Sequence, residues 1–197
     1  MIRSKRAFFG FLALVAILQS VALAYMIIDR QRLLKTGREI ALPVIPFDPR
    51  DIFRGEYVRL GYNISTLNPT LTGVKELPAG IRKSGPAYVT LTPAAAGDWK
   101  VKTFAAVPPK VTDPGDAVLK GQVTSLYTGT PDPKENYSII VRYGIESFFL
   151  PEGTGKPLEE KVREHKISTL VALGPDGTAA IKGLLIDGER HEDPPLF

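Results

Sequence analysis

Residues Ala7 to Ile28, AFFGFLALVAILQSVALAYMII, carry no charge and only two polar side chains, Gln19 and Ser20. As a helix, at about 1.5 Å per residue, the run spans about 33 Å, enough to cross the hydrocarbon core of a bilayer. In lipid every backbone N–H and C=O must pair inside the segment, and a helix meets that demand. A helix buried in a soluble core would show a polar face, and this one shows none. The first 38 residues therefore separate from the rest, and about 160 residues remain to build one core.

The flanks of the run decide how it is used. Arg3, Lys5 and Arg6 precede it, and Ala22-Leu23-Ala24 has the small-x-small pattern of a signal-peptide cleavage site. The apolar stretch continues through Tyr25-Met26-Ile27-Ile28, longer than a cleaved leader needs, and the segment reads as an uncleaved signal-anchor. Arg30, Arg32, Lys35 and Arg38 follow it, so the positive charge on the two sides is nearly balanced. A short basic tail ahead of a long apolar run stays in the cytoplasm. The expected layout is a cytoplasmic tail, anchor and juxtamembrane helix over residues 1–38, and an extracytoplasmic domain over 39–197.

The isoelectric point of about 9.2 invites a nucleic-acid reading. Setting aside the three basic residues before the anchor leaves 22 Lys and Arg against 21 Asp and Glu, a nearly neutral body. Nucleic-acid binding needs clustered positive charge, and no such cluster follows residue 40. Cysteine is absent, which excludes disulfides, thiolate catalysis and Cys-ligated zinc.

Seventeen Pro and 18 Gly suit short strands joined by turns better than a helical bundle. DRQRLLKTGR, from Asp29, reads as a helical extension ending near Gly37, with Leu33 and Leu34 on the membrane surface or docked on the domain. Strands are expected over Glu39–Ile45, Glu56–Ser65, Ala87–Thr92, Trp99–Val107, Ala117–Thr128, Tyr137–Leu150, Ile167–Leu173 and Thr178–Ile186. In the second of these Val58, Leu60, Tyr62 and Ile64 share one face, and Tyr57, Arg59, Gly61 and Asn63 the other. A bend is expected at Gly121, a bulge at Gly144, a hairpin around Ala95–Asp98 and a turn at Gly174-Pro175-Asp176-Gly177. Pro43 marks an edge or a break. Pro157–Lys166 reads as one short helix, with early acids, late bases and Leu158 and Val162 as its apolar stripe. The sum is a mainly β fold, a single barrel or sandwich-like domain with one short helix behind a transmembrane helix.

Between the first two strands lies Pro46-Phe47-Asp48-Pro49-Arg50-Asp51-Ile52-Phe53-Arg54-Gly55-Glu56. Asp48, Arg50, Asp51, Arg54 and Glu56 alternate in sign, a set that locks a loop through carboxylate–guanidinium pairs or presents a binding surface. The continuation Gly55-Glu56-Tyr57-Val58-Arg59-Leu60-Gly61-Tyr62 resembles the signature of the GDYXXLXY family of bacterial envelope proteins, with Glu56 where that family usually has Asp. A second stretch, Tyr143-Gly144-Ile145-Glu146 followed by aromatics and Pro151-Glu152-Gly153, is similar to another family segment. The resemblance implies a retained anchor, a β domain outside the cytoplasm and association with a multi-spanning membrane protein. It marks Asp48, Arg50, Asp51, Arg54, Gly55, Glu56, Tyr57, Leu60 and Tyr62, with Tyr143, Gly144, Glu146, Glu152 and Gly153, as signature or binding positions, and gives none of them a catalytic role.

Other chemistry finds little support. Gly153-x-Gly155 is too short for a nucleotide loop, and no Walker lysine pattern occurs, so no cofactor is expected. His165 and His191 are the only histidines; His191-Glu192-Asp193 are adjacent, and extended neighbours point apart, so no metal site is expected. Ser65 and Ser84 lie near Lys75 and Lys83, but no Ser-Met-x-Pro-type segment of a Ser–Lys peptidase is present. Two classes of function stand side by side. One is a non-catalytic binding or assembly module for an integral membrane protein. The other is an envelope hydrolase or small-ligand binder using acids such as Asp51, Glu56 or Glu152.

Overall fold

The computed structural model describes residues 2–45, 57–110, 113–130, 132, 134–149 and 167–192. It shows a long N-terminal apolar helix followed by mostly strand, arranged as two antiparallel sheets, one of them a half-barrel.

Helix α1 (Ile2–Thr36) has no break. Its stretch from Ala7 is long and apolar enough to cross a membrane, with a mean hydropathy of 2.4, and none of that window is covered by the rest of the chain. Phe9 and Leu18 are about two-thirds exposed, which excludes α1 as a core helix of this chain. An anchor and a signal sequence both fit these properties. The helix stops at Gly37, whose N–H donates to Leu33 O at 2.9 Å. Past that residue the chain enters β1 (Arg38–Pro43) at once.

The remaining strands are β2 (Tyr57–Arg59), β3 (Thr66–Leu67), β4 (Pro86–Pro93), β5 (Trp99–Ala105), β6 (Ala117–Thr128), β7 (Tyr137–Arg142), β8 (Ser147–Phe149), β9 (Ile167–Leu173), β10 (Ala179–Ile186) and β11 (Glu189–Glu192). They form a four-stranded sheet in the order β1-β9-β10-β11, a five-stranded sheet β3-β7-β6-β4-β5, and a two-stranded ribbon β2-β8. Pro43, which lacks a backbone donor, sits at the end of the edge strand β1, as its chemistry requires. The buried side chains form one cluster that takes Ile40, Leu42, Val171 and Leu184 from the first sheet, and Val89, Leu119, Val123 and Ile139 from the second.

Several expectations are corrected. Glu56–Ser65 is not one strand: β2 ends at Arg59, and a 3-10 turn at Asn63–Ser65 precedes β3. The burial alternation survives these breaks in part: Leu60, Tyr62 and Ile64 are buried and Arg59 and Asn63 exposed, but Gly61, expected on the outer face, is buried where it bridges to Ile45. Tyr137–Leu150 is also divided: Gly144 is not a bulge but a turn residue with φ +81°, and β8 leaves for another sheet. In β6 the pairing slips between Val123 and Ser125. Gly121 is needed for close approach, because a Cβ there would meet the Val141 side chain and the Arg142 carbonyl. The polar segment at Glu189 is an edge strand, β11, with His191 opposite Leu184. A one-turn helix, α2 (Pro69–Thr72), adds to the expected elements; Asn68 caps it by accepting from Leu71 N–H at 2.8 Å. The expected helix Pro157–Lys166 lies outside the described residues.

Candidate functional site

Tyr57 to Tyr62 and Tyr143 to Phe149, far apart in sequence, meet in the fold. Tyr57 pairs with Phe149, Val58 with Phe148 and Arg59 with Ser147. The ladder continues beyond the ribbon, where Leu60 N–H donates to Glu146 O at 2.9 Å. An isolated bridge joins Gly61 to Ile45, tying the segment to the end of β1.

Two buried tyrosines fasten this junction in opposite directions. The Tyr62 hydroxyl donates to Ile145 O at 2.7 Å and shares a hydrogen bond with the Thr169 hydroxyl at 3.1 Å. The Tyr143 hydroxyl donates to Ile64 O at 2.6 Å. Each phenol thus satisfies a carbonyl of the other segment that water cannot reach. Burial pushes both phenols above the usual tyrosine value, with the Glu146 charge adding to the shift. Neither is an acid–base group at neutral pH.

Glu146 closes the turn between β7 and β8. Its carboxylate accepts from Tyr143 N–H at 2.5 Å and from Gly144 N–H at 2.9 Å. Both oxygens are used by backbone donors, a charge-assisted clamp on a loop whose Gly144 needs a left-handed conformation. Leu60 is 3% exposed and anchors the segment in the core.

Beside this junction opens a cleft of about 380 Å³. Arg59 and Arg142, on strand positions facing solvent, stand on its wall with Glu146, and the hydroxyls of Ser65, Thr66 and Thr124 add neutral polar groups. Thr124 is the extra residue at the β6 slip, and its hydroxyl donates to Ile140 O at 3.1 Å. Such a lining, two guanidiniums and hydroxyls over an apolar floor of Leu60, Ile140 and Val141, favours carboxylate-bearing or peptide-like ligands.

Of the positions expected from sequence, Leu60, Tyr62, Tyr143, Gly144 and Glu146 gather at this junction, and Tyr57 enters it through its backbone pairing. Asp48, Arg50, Asp51, Arg54, Gly55, Glu56, Glu152 and Gly153 lie outside the described residues. Thr169 and Thr124 were not singled out by sequence. Thr169 had no signal at all, being one hydroxyl in the apolar run ISTLVAL. Among the described residues no group of three or more His, Asp or Glu stands close enough to hold a metal.

A model of the family described as GDYXXLXY protein matches residues 19–184, from inside α1 to β10. Comparison with curated proteins and with solved structures finds no match.

Proposed function

We propose, on the premise that this chain belongs to the GDYXXLXY family, that its β head is a non-catalytic binding or assembly module whose partner is an integral membrane protein. In this reading α1 is a retained single-pass anchor in a bacterial cytoplasmic membrane. Residues 39–197 stand on the outer side of that membrane, with residues 1–38 as tail, anchor and juxtamembrane helix. The observation that carries it is the use made of the described signature side chains. Tyr62, Tyr143 and Glu146 spend their polar groups on backbone partners and shape a surface, and the exposed Arg142 stands on that surface at an open cleft. A group that catalyses proton transfer needs a proton it can exchange with substrate. These three groups are committed elsewhere.

The cleft volume, about 380 Å³, lies within the range of small-molecule sites and favours a second reading, a small-ligand binder that recruits acids such as Asp51, Glu56 or Glu152.

Photo-crosslinking from intact membranes tests the first reading. A crosslinker at Thr124 should capture an integral membrane protein. One at Lys100, on β5 at the far edge of the five-stranded sheet, should not. Arg142→Glu should abolish the capture. Equal capture from both positions, or capture indifferent to Arg142→Glu, would reject the cleft as the contact. A reporter fused after Phe197 tests orientation: activity confined to the cytoplasm would reject an outer head.

A further inference from the structure

A second cavity, of about 640 Å³, lies where α1 meets the head. Asp29, Arg32 and Thr36 line it from one helix face, Arg38 from β1, and Asp176 and Thr178 from the turn between β9 and β10. Its height relative to the apolar run is set by the helix. Asp29 is the first residue past Ile28, and Thr36 the eighth, so at about 1.5 Å per residue the wall rises from about 1.5 to about 12 Å beyond the hydrocarbon edge. The headgroup layer occupies about the first 5 to 7 Å of that interval. The lower half of the cavity therefore stands among headgroups.

The charges on the wall are of both signs and nearly balance. Asp116, also on the wall, is neutralised by Lys102 Nζ at 2.7 Å, and the Arg38 guanidinium is occupied by the carbonyls of Pro114, Gly115 and Asp116. Asp176 accepts from the Thr178 hydroxyl at 2.6 Å, a bond that holds its carboxyl below the usual range and keeps it ionised. Among the described residues neither Asp29 nor Arg32 makes an ion pair, and both are exposed. A purely anionic ligand would meet two carboxylates at this wall; a ligand carrying both signs would meet a partner for each.

We propose that this cavity seats the headgroup of a zwitterionic phospholipid of the phosphoethanolamine kind, with Arg32 on the phosphate and the carboxylates of Asp29 and Asp176 on the ammonium. The inference rests on the reading of α1 as a retained anchor. The seat would fix the rotation of the head about the helix axis, and so choose which face it turns to a neighbour in the membrane.

The test uses the full chain in nanodiscs of equal phosphatidylethanolamine and phosphatidylglycerol, with retained lipid read by native mass spectrometry. Phosphatidylethanolamine should be enriched over the bulk ratio. Arg32→Gln should lower its retention about tenfold, the loss expected when one charge-assisted hydrogen bond goes. Asp29→Asn combined with Asp176→Asn should remove the preference between the two lipids. Circular dichroism of each variant checks that the strands are intact; Asp29→Asn alone, which touches no turn, serves if the double variant misfolds. Parity of the two lipids, enrichment of phosphatidylglycerol, or retention indifferent to Arg32→Gln would each overturn the seat. Release of the chain from membranes by alkaline carbonate would overturn the anchor and the seat together, whereas lipid parity in a carbonate-resistant chain overturns the seat alone.

Discussion

Tyr62 shows how a signature residue can be indispensable without being reactive. Its hydroxyl is the donor for Ile145 O and a partner for Thr169, in a place no water reaches. Tyr62→Phe leaves that carbonyl and that hydroxyl short of a partner, and should cost about 1 to 3 kcal/mol, read by chemical denaturation. Thr90 provides the opposite case. It is 7% exposed, and among the described residues its hydroxyl is the one buried side-chain polar atom without a hydrogen bond. Thr90→Val removes an unmet polar group at constant shape, and should be neutral or stabilise by up to about 1 kcal/mol. The phenols also set a pH limit. Folding raises the pKa of Tyr62 and Tyr143 by burial, so their contribution is fully present below the unfolded value of about 10 and is lost as pH rises through the folded one. Alkaline unfolding should begin above about pH 10, with tyrosinate absorbance and loss of strand signal rising together. A variant with Phe at both positions should lose less of its own neutral-pH stability over the same range.

The turn between β7 and β8 carries the junction at the level of elements. Gly144 has φ +81° and open space around it, so Gly144→Ala meets no clash but strains the backbone, at about 1 to 2 kcal/mol. Glu146→Gln keeps one acceptor oxygen and loses the charge. It should cost less than Glu146→Ala, which frees both N–H groups, and thermal unfolding of the three variants would rank them. This turn is also where sequence reading reached its limit. Alternation found the inward set Leu60, Tyr62 and Ile64, which stay buried past the end of β2 and into a 3-10 turn, but put Gly61 outside, where the bridge to Ile45 buries it. It could not find the breaks, since burial period reports which way a side chain faces and not which strand its backbone pairs with. The pairing of β2 with β8 joins segments too distant for any local signal. Likewise an acid two residues beyond a glycine reads as chemistry in a string of letters, and only the fold shows both its oxygens closing a turn. The hairpins β4–β5 and β9–β10 were legible because turn residues and strands sit side by side in sequence.

The whole molecule is organised around the point where α1 ends. The helix packs on β9 and β10, with Arg30 Nη1 donating to Ala179 O at 3.0 Å, and with Leu33 and Leu34 half-buried. At the same place Lys120 N–H donates to Gly177 O at 2.8 Å, joining the five-stranded sheet to the β9–β10 turn. Arg38 reaches the carbonyls ahead of β6. Helix and both sheets are therefore fastened within a few residues of one another, and the head has no loose tether from the apolar run. Two insertions of the same flexible Gly-Ser segment separate what this rigidity does. Placed between Ile28 and Asp29, the insert leaves every one of those contacts intact, so unfolding of the head should change by less than about 0.5 kcal/mol. If α1 is the proposed anchor, the insert also lifts the head: six added residues can extend by about 20 Å, and crosslinking from Thr124 to the proposed membrane partner should fall away. Placed between Thr36 and Gly37, the insert breaks the Gly37 N–H to Leu33 O bond and lets the helix end leave the sheet. The half-burial of Leu33 and Leu34 is then at risk, and a loss of about 1 to 3 kcal/mol is expected, seen as faster hydrogen exchange in β9 and β10. Equal effects from both insertions would mean that the helix end merely lies beside the head. A stability loss confined to the second and a crosslink loss already complete with the first would show that the dock holds the fold while the height of the head above the bilayer serves its partner.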